Sequence, residues 1–475
     1  MKLRPSALAG IPGNPWLTNF ALLLFGLLIL EFCRAGVGEF HHYTYGLSSD
    51  IFSQLILFLG AISLIERSPT NKFTLPLIFA IALSARLICV YHPAFLSTDV
   101  YRYVWDGKVQ AAGINPFRYI PADSHLAFLR DNAIYPNINR RDYAHTIYPP
   151  GAQALFLLIT RIRATEPFMK LAMVAFEAAT CVVLMKIMKQ LNQPRERILL
   201  YAWNPLCFWE IASSGHADAA ALTCIALALY AHQRRKSTTT GLWLGLATLV
   251  KIYPLALLPA FLTLPFRKDQ WRIVLTAIAT ILIGYACYAS VGMGVFGFLP
   301  DYAKEEGLET GRRYFPLNFV NRFLHTNIPS AAYIVFCGLV MLSLCLWALR
   351  RARLSTNQPQ AAIFSVTVIA TVLNLCYAPH YPWYFLWILP SLTLHPWRPA
   401  FYLVTAATFL FATPLGAYGE PMFLLNKLLY GGFFLFLAYD LLMHFVQAGK
   451  RVPHPCAARV GFNYSQPELT PARDL

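Results

Sequence analysis

The chain has 475 residues, of which 57% are hydrophobic and only 13% charged, and its mean hydropathy is +0.48. A soluble protein carries about 25% charged residues, so this chain cannot cover its surface with charge, and its many long apolar runs exclude a single water-soluble core in favour of an all-α polytopic membrane protein. The formal charge of +16 does not point to nucleic acid, because the cations sit in short blocks between apolar runs ("RRK" at 234–236, "RK" at 267–268, "RRAR" at 350–353, "KR" at 450–451), as they do in loops on the inner side of a membrane.

In chain order, the apolar runs 17–33, 50–65 and 73–91 predict three spans. The first flows into the body of the protein and reads as a retained span, not a cleaved signal. Lys2, Arg4 and the basic "ERSPTNK" between the second and third runs place the N-terminus inside, so the third span ends outside. Residues 92–149 then form a long outer loop, too long for a mere connector. Within it, "DVYRYVWDGKVQAAG" (99–113) has no proline and predicts a helix at the membrane interface, with Tyr101, Tyr103 and Trp105 in the headgroup zone and Asp99 and Asp106 on one face. "GINPF" stops it.

Residues 150–161 predict a partial helix dipping in from the outer side, and 168–187 an inward span ending at the basic "KIMKQLNQPRER". Runs 198–213 and 217–231 cross out and back, meeting at "ASSGHADAA". Residues 240–266 have basic flanks at both ends and Pro254 near the middle, which predicts two short helices meeting at "VKIYP" on the outer side. Run 273–292 crosses outward to a second large outer loop, 293–330. Runs 331–349, 361–377, 383–394, 399–414 and 424–446 complete the bundle. The expectation is about 12–14 crossings in one transmembrane domain, 1–449, followed by a polar cytoplasmic tail, 450–475, with both termini inside. The ten cysteines lie mostly within apolar runs, form no CxxC, and read as small hydrophobes.

This topology gathers the unusual polar residues on the outer side. They are Asp99 and Asp106, His216 and Asp218, Lys251 and Tyr253, Arg312 and Arg313, and His380. Each has a plainer reading: Asp99 as an N-cap, His216 and Asp218 as caps of the next helix, His380 as a satisfied loop histidine, the two arginines as lipid-headgroup contacts, Lys251 as a snorkelling chain. Against these, a carboxylate half-sunk at a membrane surface suits a general base, and a lysine inside an apolar run needs an anion or a route to water. Glu210, in the outer half of its span, is placed to order the His216 region or a tyrosine. Asp440, mid-span in the last helix, has no evident chemistry. An aspartate with several cations in an outer-leaflet cavity suits group transfer from a lipid phosphate: the aspartate takes the proton of the incoming hydroxyl, and the cations hold the phosphate that leaves. No cofactor is expected; Mg²⁺ on the aspartates near Asp99 stays open.

Five stretches, "STDVYRYVWDGKVQAAGINPFRY" (97–119), "TIYPPGAQALF" (146–156), "WNPLCFWEIASSGHADA" (203–219), "LVKIYPLALLP" (249–259) and "YAPHYPWYFLWILP" (377–390), together resemble the GT-C superfamily of membrane-embedded glycosyltransferases. Within it they resemble the bacterial polyprenol-phosphate-mannose-dependent mannosyltransferases. The resemblance implies a GT-C-like helix bundle in the bacterial inner membrane with its active site facing out. It implies inverting transfer of a hexose, mannose first, from a polyprenyl-phosphate sugar donor to a glycan or glycolipid acceptor, without nucleotide sugar or a strict metal requirement. It assigns the catalytic base to Asp99, with Asp106 as a second acid or structural partner. Donor-phosphate contacts fall to Lys251, Arg312, Arg313 and His380. Tyr101, Arg102, Glu210, His216, Asp218 and Tyr253 would hold the acceptor or order the site. The sequence departs from the group in placing three predicted spans, not one, before Asp99. A transporter or flippase is the alternative, and it calls for polar groups near the bilayer centre in both halves of a pore. A glycan polymerase or ligase would instead take a lipid diphosphate, and a noncatalytic membrane partner would need no base.

Overall fold

A computed structural model describes residues 13–38, 44–355, 358–412 and 420–449. Lys2, Arg4, the block at 450–451 and the predicted tail lie outside the described residues. Three long apolar helices open the chain: α1 (Pro15–Gly38), α2 (Thr44–Arg67) and α3 (Thr74–Tyr91). On α1, Leu22, Gly26, Ile29 and Cys33 are buried, whereas Leu23, Leu24, Leu27 and Leu28 are exposed. One stripe at helical spacing packs inward and the other presents leucine outward, which is stable only where lipid, not water, lies outside.

The chain continues through α4 (Asp99–Ala111), α5 (Pro150–Ile162), α6 (Glu166–Gln190) and the single turn α7 (Leu199–Ala202), then a π-helical segment, Cys207–Ser213. Next come α8 (Asp218–Gln233), α9 (Ser237–Val250), a 3₁₀ stretch Tyr253–Phe261, and α10 (Lys268–Ala286). The second large loop holds α11 (Leu299–Glu305) and α12 (Phe315–Phe323). It leads to α13 (Ser330–Leu354), α14 (Gln358–Tyr377), a 3₁₀ turn Pro382–Ile388 running into α15 (Leu389–Leu394), then α16 (Arg398–Ala406) and α17 (Glu420–Gly449). The described residues contain no strand, and the architecture is a polytopic membrane helix bundle.

Seven of the described helices are long and apolar enough to cross a membrane, or up to nine if each of two bent pairs is one span. That is fewer than the expected crossings, and prolines and glycines explain the difference. Pro205 and Gly215 turn the run 198–231 into a π-helical segment and a helix bent from each other by 115°. The run 240–266 breaks at Lys251, which is extended (φ −142, ψ 141). The run 383–394 begins as a 3₁₀ turn at Pro382. The partial helix expected at 150–161 is the 13-residue α5, which reaches only about 20 Å, short of the roughly 30 Å hydrocarbon core.

Helix α4 also differs from expectation. It does not lie open at an interface: Tyr103 and Trp105 are buried within protein. Tyr103 stacks on Phe156 of α5 at 4.5 Å, and Trp105 meets Tyr135 of the covering loop at 5.5 Å. Close approach of α4 to α5 depends on Gly107, where a Cβ would lie 2.6 Å from the Phe156 carbonyl oxygen. Gly107→Ala must push the two helices apart, and a loss of about 1–3 kcal/mol is expected, read as a lower midpoint of thermal unfolding in detergent. An unchanged midpoint would mean that α5 yields freely.

Inside the bundle, Arg86 of α3 and Glu177 of α6 form a buried bidentate pair (Nε to Oε2, 2.7 Å), and Arg86 also donates to the carbonyls of Ala82 and Ala202. Fully partnered in this way, the charges fasten α3 to α6. Asp440, without evident chemistry in the sequence, meets Arg398 of α16 at 3.4 Å. At one end of the bundle, the C-termini of α3, α9, α10 and α14 and the N-termini of α6, α8 and α13 come together beneath the two large loops. Contacts between distant segments close this end. Among them are Ala94 N–H to Glu166 Oε1 at 3.0 Å, Asn115 Nδ2 to Ser290 Oγ at 2.9 Å, and Tyr333 O–H to the Cys376 carbonyl at 2.9 Å.

Candidate active site

Asp99 is the first residue of α4, and the segment leading to it is pinned from α6. Lys170, wholly buried, donates to the His92 carbonyl and pairs with Glu166 at 3.0 Å, and Glu166 in turn accepts the Ala94 N–H. Thr98 occupies the N-cap position and makes no side-chain cap, so the Asp99 carboxylate is not spent on capping. Its Oδ1 accepts a hydrogen bond from Asn139 Nδ2 at 2.8 Å. Its side chain keeps 21% exposure.

Behind it lies His216. The π-helical segment carries Glu210 on its inner face, and the chain then turns at Gly215, whose φ of +72 suits glycine. A Cβ there would also press within 2.9 Å of Val100 and Lys170. The turn drops the His216 ring, with no exposed side-chain surface, between two carboxylates: Nε2 is 3.2 Å from Glu210 Oε2 and Nδ1 is 3.9 Å from Asp99 Oδ2. Trp383 stacks on the ring at 4.4 Å.

A second polar pair stands beside the first. Asp218, in the first turn of α8 and buried, accepts from Trp387 Nε1 at 2.8 Å and pairs with Lys251 Nζ at 3.0 Å. Lys251 is delivered by the break after α9, so its ammonium reaches a carboxylate through one contact and keeps donors to spare. Tyr253, two residues on, stacks flat on Trp387 at 3.6 Å.

Two cavities meet at Asp99. One, of about 200 Å³, is polar, with Ser97, Arg102, Asn139, Arg140, His145 and Glu306 among its walls. The other, of about 340 Å³, is largely aromatic and holds Lys251, Tyr253, Tyr302, Tyr384 and Trp387. Asp99, Tyr148, Tyr302 and Trp383 line both. The aromatic cavity shares Tyr253, Tyr377, Tyr384 and Trp387 with an apolar groove of about 500 Å³ that runs on past Leu255, Ala256 and Leu373. Burial pushes the phenols of Tyr148, Tyr253 and Tyr384 well above their ordinary range, so they are neutral hydrogen-bonding walls.

The remaining expected residues fall in different places. Asp106 is buried and fully occupied: its oxygens accept from Arg102 Nε (2.8 Å), Gln153 Nε2 (2.9 Å) and Thr146 Oγ1 (2.5 Å). Both of its oxygens are engaged, and it holds Arg102 at the cavity wall. Tyr101 is buried on α4 and lines neither cavity.

Arg313 is buried behind the wall, bonded to Glu306 and set over the rings of Tyr377 and Tyr381 at 5.0 and 5.3 Å. Burial opposes its charge, and Tyr377 and Glu306 more than offset this, so it stays cationic. Arg312 is exposed and lines neither cavity. Burial, then the neighbouring Arg313, push His380 down to about 3, so it is neutral and brings no positive charge to a phosphate. Of the four cations expected on a phosphate, the geometry leaves Lys251 facing a cavity. Among the described residues no group of three or more His, Cys, Asp or Glu gathers to hold a metal ion. Residues missed from the sequence are Asn139, Tyr148, Tyr302, Trp383 and Trp387. For all but Tyr302 the signal was present only as unusual aromatic and polar density in 130–150 and 377–387; Tyr302 carried none within the loop 293–330.

Residues 146–379 match the family model of glycosyltransferase family 87. The matched stretch contains Tyr148, Glu210, His216, Asp218, Lys251 and Tyr302; Asp99 lies before it and His380 just after it. No curated protein and no solved structure matches the chain.

Proposed function

From the premise that the chain is a glycosyltransferase of the membrane, we propose that it transfers a hexose, mannose first, from a polyprenyl-phosphate donor to a glycan or glycolipid acceptor, with inversion, at the outer face of a bacterial inner membrane. The observation that carries this reading is the meeting of a polar and an aromatic cavity at Asp99, the second continuing into an apolar groove. A lipid tail fits the groove. Its phosphate comes beside Lys251, and the sugar reaches Asp99. The acceptor enters from the polar side, where the cations Arg102 and Arg140 are already paired, to Asp106 and Glu305, which suits a neutral sugar better than an anionic one.

Chemically, the acceptor hydroxyl oxygen attacks the sugar C1 while its proton passes to Asp99. The C1–O bond to phosphate breaks, and the electron pair leaves on the lipid phosphate beside the Lys251 ammonium. A single displacement of this kind inverts the anomeric centre. The sidedness rests on charge: Arg234–Lys236, Arg267–Lys268 and Arg350–Arg353 flank the ends of α8, α10 and α13 that lie opposite the site, and short basic loops stay inside.

The test is transfer by the purified protein from a panel of polyprenyl monophosphate and diphosphate sugars. Use of the diphosphate alone would overturn the donor assignment. Lys251→Ala should raise the donor KM by about tenfold or more, the loss of one charge-assisted contact, and leave the acceptor KM within about twofold. Equal changes in both would remove Lys251 from the phosphate.

A further inference from the structure

The two oxygens of Asp99 face different neighbours. Oδ1 is held by Asn139 Nδ2, an amide nitrogen that donates and cannot receive a proton. Oδ2 faces His216 Nδ1 across 3.9 Å, too far for a hydrogen bond and close enough for bound substrates to tighten into one. The 21% of the Asp99 side chain that is exposed opens onto the two cavities. A donor and an acceptor seated there would displace water from the carboxylate, and His216 is then the neighbour to which a proton taken from the acceptor can pass.

Inward, the path is built. His216 has no exposed side-chain surface, Glu210 beyond it has 1%, and Nε2 lies 3.2 Å from Glu210 Oε2. Neither imidazole nitrogen, nor that oxygen, has a hydrogen-bond partner elsewhere among the described residues. Of the two carboxylates that face the ring, Glu210 is the closer, which favours the tautomer with its hydrogen on Nε2 and leaves the Nδ1 lone pair on the Asp99 side. Trp383 on the ring face and the turn at Gly215 prevent rotation.

We propose that His216, backed by Glu210, is the positioning residue through which Asp99 unloads the proton it takes during transfer. This rests on Asp99 as the base of the proposed reaction. As the acceptor O–H breaks and C1 exchanges phosphate oxygen for acceptor oxygen, the proton moves to Asp99 Oδ2 and on to His216 Nδ1. The imidazolium is held against the Glu210 carboxylate while the bond-making proceeds. When the products leave and water returns to the cavities, the proton passes back through Asp99 to solvent, and the site is reset. Asp218, also near, is engaged by Lys251 and Trp387 and takes no part.

The experiment uses the full-length protein in membranes that contain its own acceptor, with polyprenyl-phosphate-mannose as donor. His216→Ala is expected to lower kcat about 10- to 100-fold, the scale of losing an orienting partner, with the donor KM within about twofold. Added imidazole should restore much of the rate, because His216→Ala leaves a ring-sized space behind Asp99, whose own side chain faces the two cavities. Glu210→Gln keeps shape and volume and should lower kcat without response to imidazole. A His216→Ala protein that melts like the wild type and keeps its kcat, or loses kcat without imidazole rescue, overturns the relay. Glu210→Gln at wild-type kcat overturns the backing role. Asp99→Asn separates the two levels: silent with and without imidazole, it leaves the base in place whatever the His216 result, whereas an active Asp99→Asn would sink the base itself.

Discussion

Asp99→Asn is expected to cut sugar transfer by about 10²- to 10⁴-fold, the usual contribution of a positioned general base, while the protein expresses and melts like the wild type. The fold should not notice the change. The carboxylate caps no helix, it is partly exposed, and its one hydrogen bond comes from Asn139; an amide oxygen at the same place accepts that bond equally well. What the amide cannot do is receive the acceptor's proton. The loss should therefore appear in kcat, with donor and acceptor KM little altered, because neither the Lys251 side nor the polar cavity is disturbed. The check is steady-state transfer of labelled hexose alongside a melting curve in detergent. Turnover close to that of the wild type would remove Asp99 from the reaction.

The bundle was legible because lipid imposes a simple rule: runs long and apolar enough become helices. Runs 17–33, 73–91 and 331–349 became α1, α3 and α13 within a few residues at most ends. Breaks were legible where proline or an internal charge forced them, as at Lys251 and Pro254. The crossing count was not, because hydropathy cannot distinguish a helix that crosses lipid from a short or bent one shielded by protein, such as α16 or the π-helical segment at Glu210. Within the site, the aspartates, His216 and Lys251 stood out because a charge in an apolar context is costly. Their neighbours did not, because Asn139, Trp383 and Trp387 are ordinary loop residues until the chain folds. The arginines misled for a related reason. Arg313 read as a phosphate-binding cation in the sequence, yet Glu306, one turn of loop before it, already pairs with it.

Asp106 supplies the sharpest contrast with Asp99, although the two stand on one helix and look alike in the sequence. Asp106→Leu is expected to destabilise the protein by about 3–5 kcal/mol, the scale of stranding one member of a buried ion pair. Arg102 has 5% side-chain exposure, and among the described residues no other carboxylate is bonded to it, so its charge would be left in a medium that cannot solvate it. Thr146 and Gln153, which tie the covering loop and α5 to the same carboxylate, would lose their acceptor as well. Asp106→Asn should cost less, about 1–3 kcal/mol, since an amide oxygen still accepts one bond. The double change Arg102→Met with Asp106→Leu should recover much of the loss, because it removes the stranded charge along with its partner. Activity distinguishes this scaffold role from chemistry. If Asp106 were a second acid in the reaction, Asp106→Asn would melt like the wild type and lose kcat. A scaffold residue gives the opposite pattern at a temperature where the variant is still folded: a lowered melting point with transfer largely kept.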